Sequence, residues 1–225
     1  MSSTTSAQES PPRDKSRVHR ILCFGDSLTA GTSPPNAEYF PYATYLEQAL
    51  KDRGLENVVV RHRGMPGWTT QQMLKDLDGE RTGLRSAIIG AVKQDPVNAL
   101  SLVILLAGTN DMAHGSSADQ IASNVRRLHD VSYENGVPRT LAIGIPPSGY
   151  QSQVPSAAAL AADINGKLEQ FVSEEVKASY IASPFPFERG GKNWAPDTLH
   201  FSPRGYQVLA ESLAPVVEQI LDSLN

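Results

Sequence analysis

Five short apolar runs, separated by stretches of helical periodicity, constrain this chain more than any other feature. The runs are 20–24 (RILCF), 57–62 (NVVVRH), 100–106 (LSLVILL), 139–145 (RTLAIGI) and 179–183 (SYIAS). They are shorter than ordinary helices and rich in β-branched residues, the pattern of parallel strands covered on both faces. Between them, 41–53 carries Tyr42, Tyr45, Leu46, Ala49 and Leu50 on one stripe, with Pro41 suited to a first turn and Gly54 to a stop. In 117–135, Ser117 and Gln120 have capping-box spacing, Ile121, Val125 and Leu128 form the buried face, and Gly136 ends the helix. Segment 155–178 is Ala-rich and helical in character. Segment 204–224 aligns Leu209, Leu213, Val217, Ile220 and Leu224, with Pro215 expected to kink it. Alternation of this kind predicts an α/β fold, a three-layer α/β/α sandwich with right-handed crossovers.

No internal repeat or linker divides the sequence, so a single domain is expected over 19–225, after a Ser-, Thr- and Pro-rich flexible tail over 1–18. At 225 residues such a domain buries about 70% of its unfolded surface. The 20 basic and 24 acidic residues leave a formal charge of −4, which argues against a nucleic-acid surface. A lone Cys23, inside the first apolar run, excludes an intramolecular disulfide and reads as a buried, inert thiol. No stretch has the length of apolar sequence that a membrane span requires. The amino terminus is polar and lacks the apolar core of a secretory signal, so a cytoplasmic location is expected. No H-E-x-x-H or clustered His/Cys spacing points to a metal, and no cofactor is implied.

The first run ends abruptly in Gly25-Asp26-Ser27-Leu28, which presents a hydroxyl at the carboxyl end of a strand, where open α/β sheets place their ligands. A turn rich in Gly, Asp and Ser is an equally ordinary explanation. A nucleophilic serine also needs a base, and near the far end Asp197 and His200 lie three residues apart, close enough to meet within one turn. A carboxylate on one imidazole nitrogen leaves the other free to take a hydroxyl proton. An oxyanion needs donors. Asn110 follows the third run, and Gly67, after the second, offers a backbone N–H with no side chain in the way.

Taken together, GDSL at 25–28, the glycine of PGWTT at 67, GTND at 108–111 and DTLH at 197–200 resemble, in order, the four sequence blocks of the SGNH hydrolases, or GDSL esterases/lipases. The resemblance spans about 20 to 224. It implies a flavodoxin-like parallel sheet of five strands in the order 2-1-3-4-5. It also implies Ser27 as nucleophile, Asp197 and His200 as its triad partners, and the N–H groups of Ser27 and Gly67 with the Asn110 side chain as oxyanion hole. One departure concerns His62, which stands where many relatives carry Asn a few residues before the second-block glycine.

The expected activity is hydrolysis of small or exposed carboxylic esters, acetyl esters of carbohydrates among them, through an acyl-enzyme on Ser27. A thioesterase or lysophospholipase would use the same parts. A non-catalytic acyl- or sugar-binding module would be favoured by a missing triad member, and none is missing. The partner is then a small-molecule ester. Asp26 and Asp111 are read as loop braces rather than acids. His19, His114 and His129 receive no catalytic role, although His114 stands beside the Asn110 loop. The two tryptophans, Trp68 and Trp194, both lie in loops that carry site residues, with Phe185 and Phe187 near the second. They are equally readable as loop packing and as walls of a substrate cleft.

Overall fold

The computed structural model describes residues 17–224. Most of the tail expected over 1–18 therefore lies outside the described residues. Arg17 and Val18 are tied down, the first by its guanidinium to the Leu224 carbonyl (2.8 Å), the second by its N–H to Asn98 Oδ1 (3.3 Å).

Five strands, β1 (His19–Gly25), β2 (Val58–Gly64), β3 (Leu100–Leu106), β4 (Arg139–Ile143) and β5 (Ala178–Ile181), form one sheet in the order β2-β1-β3-β4-β5. Every neighbouring pair is parallel, so this is the flavodoxin-like order expected above. Strand β3 is central and all seven of its residues are buried, which is why its sequence is continuously apolar.

The helices, in chain order, are α1 (Ser27–Ala30), α2 (Tyr42–Asp52), α3 (Thr70–Lys75), α4 (Leu84–Gln94), α5 (Thr109–Ala113), α6 (Ala118–Glu134), α7 (Gly149–Gln153), α8 (Pro155–Glu174) and α9 (Pro203–Asp222). On one face α2 and α9 pack against each other and the sheet, around Leu46, Leu50, Leu209 and Val217. On the other face α4, α6 and α8 cover the sheet, with Ile88, Leu128 and Ile164 turned inward. The chain leaves β1 toward β2 on one side and then crosses to β3 on the other. The carboxyl ends of β1 and β3 thus border the switch point where such sheets form their crevice.

Helix α9 is continuous through Pro215, held along its length by nine buried residues. Two expectations are corrected. Helix α8 ends at Glu174, not 178, because Ala178 already starts β5. Strand β4 stops at Ile143, and the Ile145 N–H is taken by the Asn165 side chain (2.7 Å) instead of the sheet.

Candidate active site

The Asp26 carboxylate caps α1, accepting the Leu28 N–H (2.9 Å), so the hydroxyl of Ser27 stands at the first helical position above the end of β1. Asp26 is fully buried, and its second oxygen has no partner among the described residues. Burial chiefly, with the nearby charge of Asp111, pushes its carboxyl up to about 7, although the Leu28 N–H pulls the other way.

Across 173 residues of sequence, His200 Nε2 lies 2.8 Å from Ser27 Oγ. His200 Nδ1 lies 2.6 Å from Asp197 Oδ2, while Asp197 Oδ1 accepts the N–H groups of Leu199 (3.1 Å) and His200 (3.0 Å). Burial raises the Asp197 carboxyl, but the His200 side chain and these two N–H groups outweigh it, leaving the carboxyl below the ordinary range. The turn that brings Asp197 and His200 together is tightened by Ala195 N–H donating to the His200 carbonyl (2.9 Å). It also holds Thr198 at a φ of 61°, unusual for a residue other than glycine. A packed floor keeps that turn in place: Phe201 is fully buried against Trp194, Phe185 and Tyr206 at ring separations of 5.0 to 5.3 Å.

Two further loops, after β2 and β3, carry the expected oxyanion donors. Gly67 adopts a φ of 80°, a left-handed conformation that a side chain would strain, and the space beyond its Cα is open. The Asn110 amide donates one N–H to the Trp68 carbonyl (3.0 Å), which fixes the amide plane and leaves its second N–H unspent. Behind them the buried Asp111 carboxylate accepts both the N–H (2.9 Å) and the hydroxyl of Thr70, and Asn124 donates to that hydroxyl (2.9 Å). This clamp ties the start of α3 to α5, so the Gly67 and Asn110 loops are joined through it. Asp26 and Asp111 thus brace loops through backbone hydrogen bonds.

The remaining predicted residues fall elsewhere. Trp194 is buried, its indole N–H donates to the Pro186 carbonyl (3.2 Å), and its ring packs among Phe185, Phe187 and Phe201. Of its two readings, loop packing and cleft wall, this packing supports the first, as part of the floor beneath the His200 turn. Trp68 rests half-buried on the core around Met73, and neither tryptophan lines the cavity beside Asp197. Its contribution to the site is its carbonyl. His129 is buried on Thr140 (2.6 Å) and pushed down to about 3 by desolvation, and His114 turns back to the Asn110 carbonyl (2.8 Å). Cys23 is buried and its thiol is pushed up to about 12, chiefly by desolvation.

A cavity of about 300 Å³ adjoins Asn110 and Asp197, walled by Met112, Tyr150, Gln151 and Leu199. Helix α7, which brings Tyr150, had no counterpart among the predicted helices. It docks through Gly149, whose N–H reaches the Thr198 carbonyl (2.8 Å), and a Cβ there would lie 2.3 Å from Thr198 Oγ1. The readable signal was SGYQ, since Ser148 does cap Gln151 N–H (3.3 Å). Among the described residues no group of three or more His, Cys, Asp or Glu gathers as a metal site. No helix among them is long and apolar enough to cross a membrane.

A family model described as the GDSL-like lipase/acylhydrolase family matches residues 23–208. Similar solved structures include Est24, a carbohydrate acetylesterase from Sinorhizobium meliloti (20% identity, TM-score 0.67, 90% of this chain and 99% of that one). An aryl esterase of M. smegmatis (22%, 0.66, 90% and 100%) and a family 3 carbohydrate esterase of Clostridium thermocellum (20%, 0.69, 92% and 99%) are comparably similar. At these identities the likeness is one of fold. A search of curated proteins finds no match to the chain.

Proposed function

This chain belongs to the GDSL-like lipase/acylhydrolase family and is a carboxylic ester hydrolase, and we propose that it cleaves small esters through an acyl-enzyme on Ser27. The observation that carries the mechanism is the continuous line from Ser27 Oγ through His200 to Asp197, at 2.8 and 2.6 Å. Ser27 Oγ attacks the ester carbonyl while its proton passes to His200 Nε2, and Asp197 stabilises the imidazolium formed. The oxyanion receives the N–H groups of Ser27 and Gly67 and the second N–H of Asn110. As the tetrahedral intermediate collapses, His200 gives its proton to the departing alcohol. Water, deprotonated by the same nitrogen, then releases the acid.

The substrate reading rests on the 300 Å³ cavity. It exceeds what an acetyl group fills, and Met112, Tyr150 and Leu199 make it apolar on most sides. An ester with one compact group and one apolar or ring-bearing group suits it, whether that ring is an aryl or the face of a sugar. The likeness to an aryl esterase, a carbohydrate acetylesterase and a carbohydrate esterase supports the same class.

The test is labelling with a fluorophosphonate, peptide mass spectrometry, and assay of Ser27→Ala on 4-nitrophenyl acetate beside acetylated xylose. The adduct is expected on Ser27, and the variant should lose about 10⁶-fold in turnover while keeping its fold. An adduct on another residue, or undiminished turnover in the variant, refutes the mechanism.

A further inference from the structure

On the face of the sheet that carries α4, the edge strand β2 places Val59, Arg61 and Arg63 in one row, because Val58 and Val60 turn to the opposite core. The register sets Arg61 beside Leu22 and Arg63 beside Phe24 of β1, with Arg20 next to Val59. Two arginines thus stand where a three-layer sandwich would ordinarily place apolar residues. Helix α4 packs chiefly on α6 and β3, which leaves a cleft of about 580 Å³ over β2. The cleft shares no lining residue with the cavity beside the triad.

Its charge is out of balance. Arg20, Arg61, Arg63 and Lys93 line it, against Asp78 and Glu80, and Asp78 is already engaged by Arg85 at 2.6 Å. This excess occurs in a chain whose total is −4. Among the described residues Arg20, Arg63 and Lys93 make no ion pair, and Arg61, 74% exposed at the sheet edge, has only a distant Glu47 of α2 (3.8 Å) and the Val60 carbonyl (3.4 Å). Helix α4 accounts for part of this. Arg20 Nη1 donates to the Ala91 carbonyl (2.8 Å) and Arg63 Nη1 to the Gly83 carbonyl (2.6 Å) and Ser86 Oγ (2.9 Å). Arg20 also donates to the Asn98 carbonyl and Gln94 Oε1 (both 3.4 Å) and lies near the Asp95 charge, whereas Arg63 is held in place with donors left over and no counter-charge. Burial lowers Arg63 below its ordinary range, and burial first, then the Arg61 charge, lowers His62.

We propose that this cleft binds a small organic phosphate, its phosphoryl group between Arg61 and Arg63 and its organic part along α4. Arginine side chains two residues apart on a strand stand about 7 Å from each other, a span that a dianionic phosphoryl group can bridge with paired hydrogen bonds. The volume exceeds the needs of a bare ion and falls in the range of small-molecule pockets. Ala87 and Ile89 offer apolar contact along the helix, and a Cβ at Gly90 would meet nothing within 4 Å, so that wall is open.

The test is thermal unfolding and calorimetric titration of the full chain with AMP and glucose 6-phosphate, with adenosine, glucose and sodium sulfate as controls at matched ionic strength. At least one phosphate should bind saturably and, at a hundred times its Kd, raise Tm by roughly 5–10 °C, while the controls do not. Arg61→Gln combined with Lys93→Gln alters two exposed side chains, so the fold and ester hydrolysis should persist while affinity falls at least tenfold. Three results would overturn the proposal: no phosphate exceeding its uncharged parent, sulfate reproducing the full rise, or the double variant binding as tightly as the unaltered protein.

Discussion

Asp26 lies one residue before the serine hydroxyl, is fully buried, and has one carboxylate oxygen without a partner. Its folded-state carboxyl is raised from the ordinary 3.8 to about 7, by burial first. The native state therefore keeps a proton that the unfolded chain releases, and stability must fall as pH rises between those values. Each unit is worth about 1.4 kcal/mol, so the full window of roughly three units corresponds to about 4 kcal/mol. The contribution is complete below about pH 4, declines toward pH 7, and is flat above. Asp26→Asn removes the titration yet retains the oxygen that accepts the Leu28 N–H. At roughly 2–4 °C per kcal/mol for a domain of this size, the Tm of the variant minus that of the unaltered protein should rise by about 8–16 °C from pH 4 to pH 8. Calorimetric or circular-dichroism melts at half-unit steps measure this difference, and charges common to both proteins cancel. A Tm difference that stays constant across the range would refute the reasoning, because a carboxyl ionised throughout cannot produce the slope.

Asn110→Ala should lower kcat by roughly 10²–10³-fold with KM little changed, and a variant that lost only affinity would make Asn110 a binding contact. Trp194→Ala should cost about 3–5 kcal/mol through the cavity left under the His200 turn, a Tm drop of about 6–20 °C, with relative ester preference retained. Tyr150→Ala should do the reverse. Its side chain is 64% exposed, so Tm should hold within a few degrees while KM rises or preference shifts for ring-bearing esters. Unchanged preference across a 4-nitrophenyl acyl series and a set of aryl acetates would remove Tyr150 from the cleft.

What the sequence determined by itself is what depends on neighbours along the chain. Strand β3 shows in LSLVILL because burial on both faces demands an unbroken apolar run. Helix α6 shows in its Ser117 cap and its apolar stripe, since both follow from a repeat of 3.6 residues. Asp197 and His200 meet within a single turn, so their pairing was legible too. The missed helices mark the boundary of local signals. Helix α4 sets Leu84, Ala87, Ile88 and Ala91 on one stripe, but two of the four are alanines, Gly90 sits near its middle, and only Leu84 and Ile88 are buried, so the stripe is a weak signal. Helix α3 is short, although Thr69 and Gln72 form the capping box that would have revealed it.

Only the tertiary structure decided matters that join distant parts. It brought Ser27 within 2.8 Å of His200, tied Thr70 to Asp111, turned Trp194 into the core, and set Tyr150 beside the Asp197–His200 turn. An aromatic ring carries the same hydrophobic signal whether it faces a substrate or a floor, so no pattern along the chain distinguishes Trp194 from Tyr150. The difference is made by sheet register and helix packing, which fix the direction each side chain points once all the layers are in place.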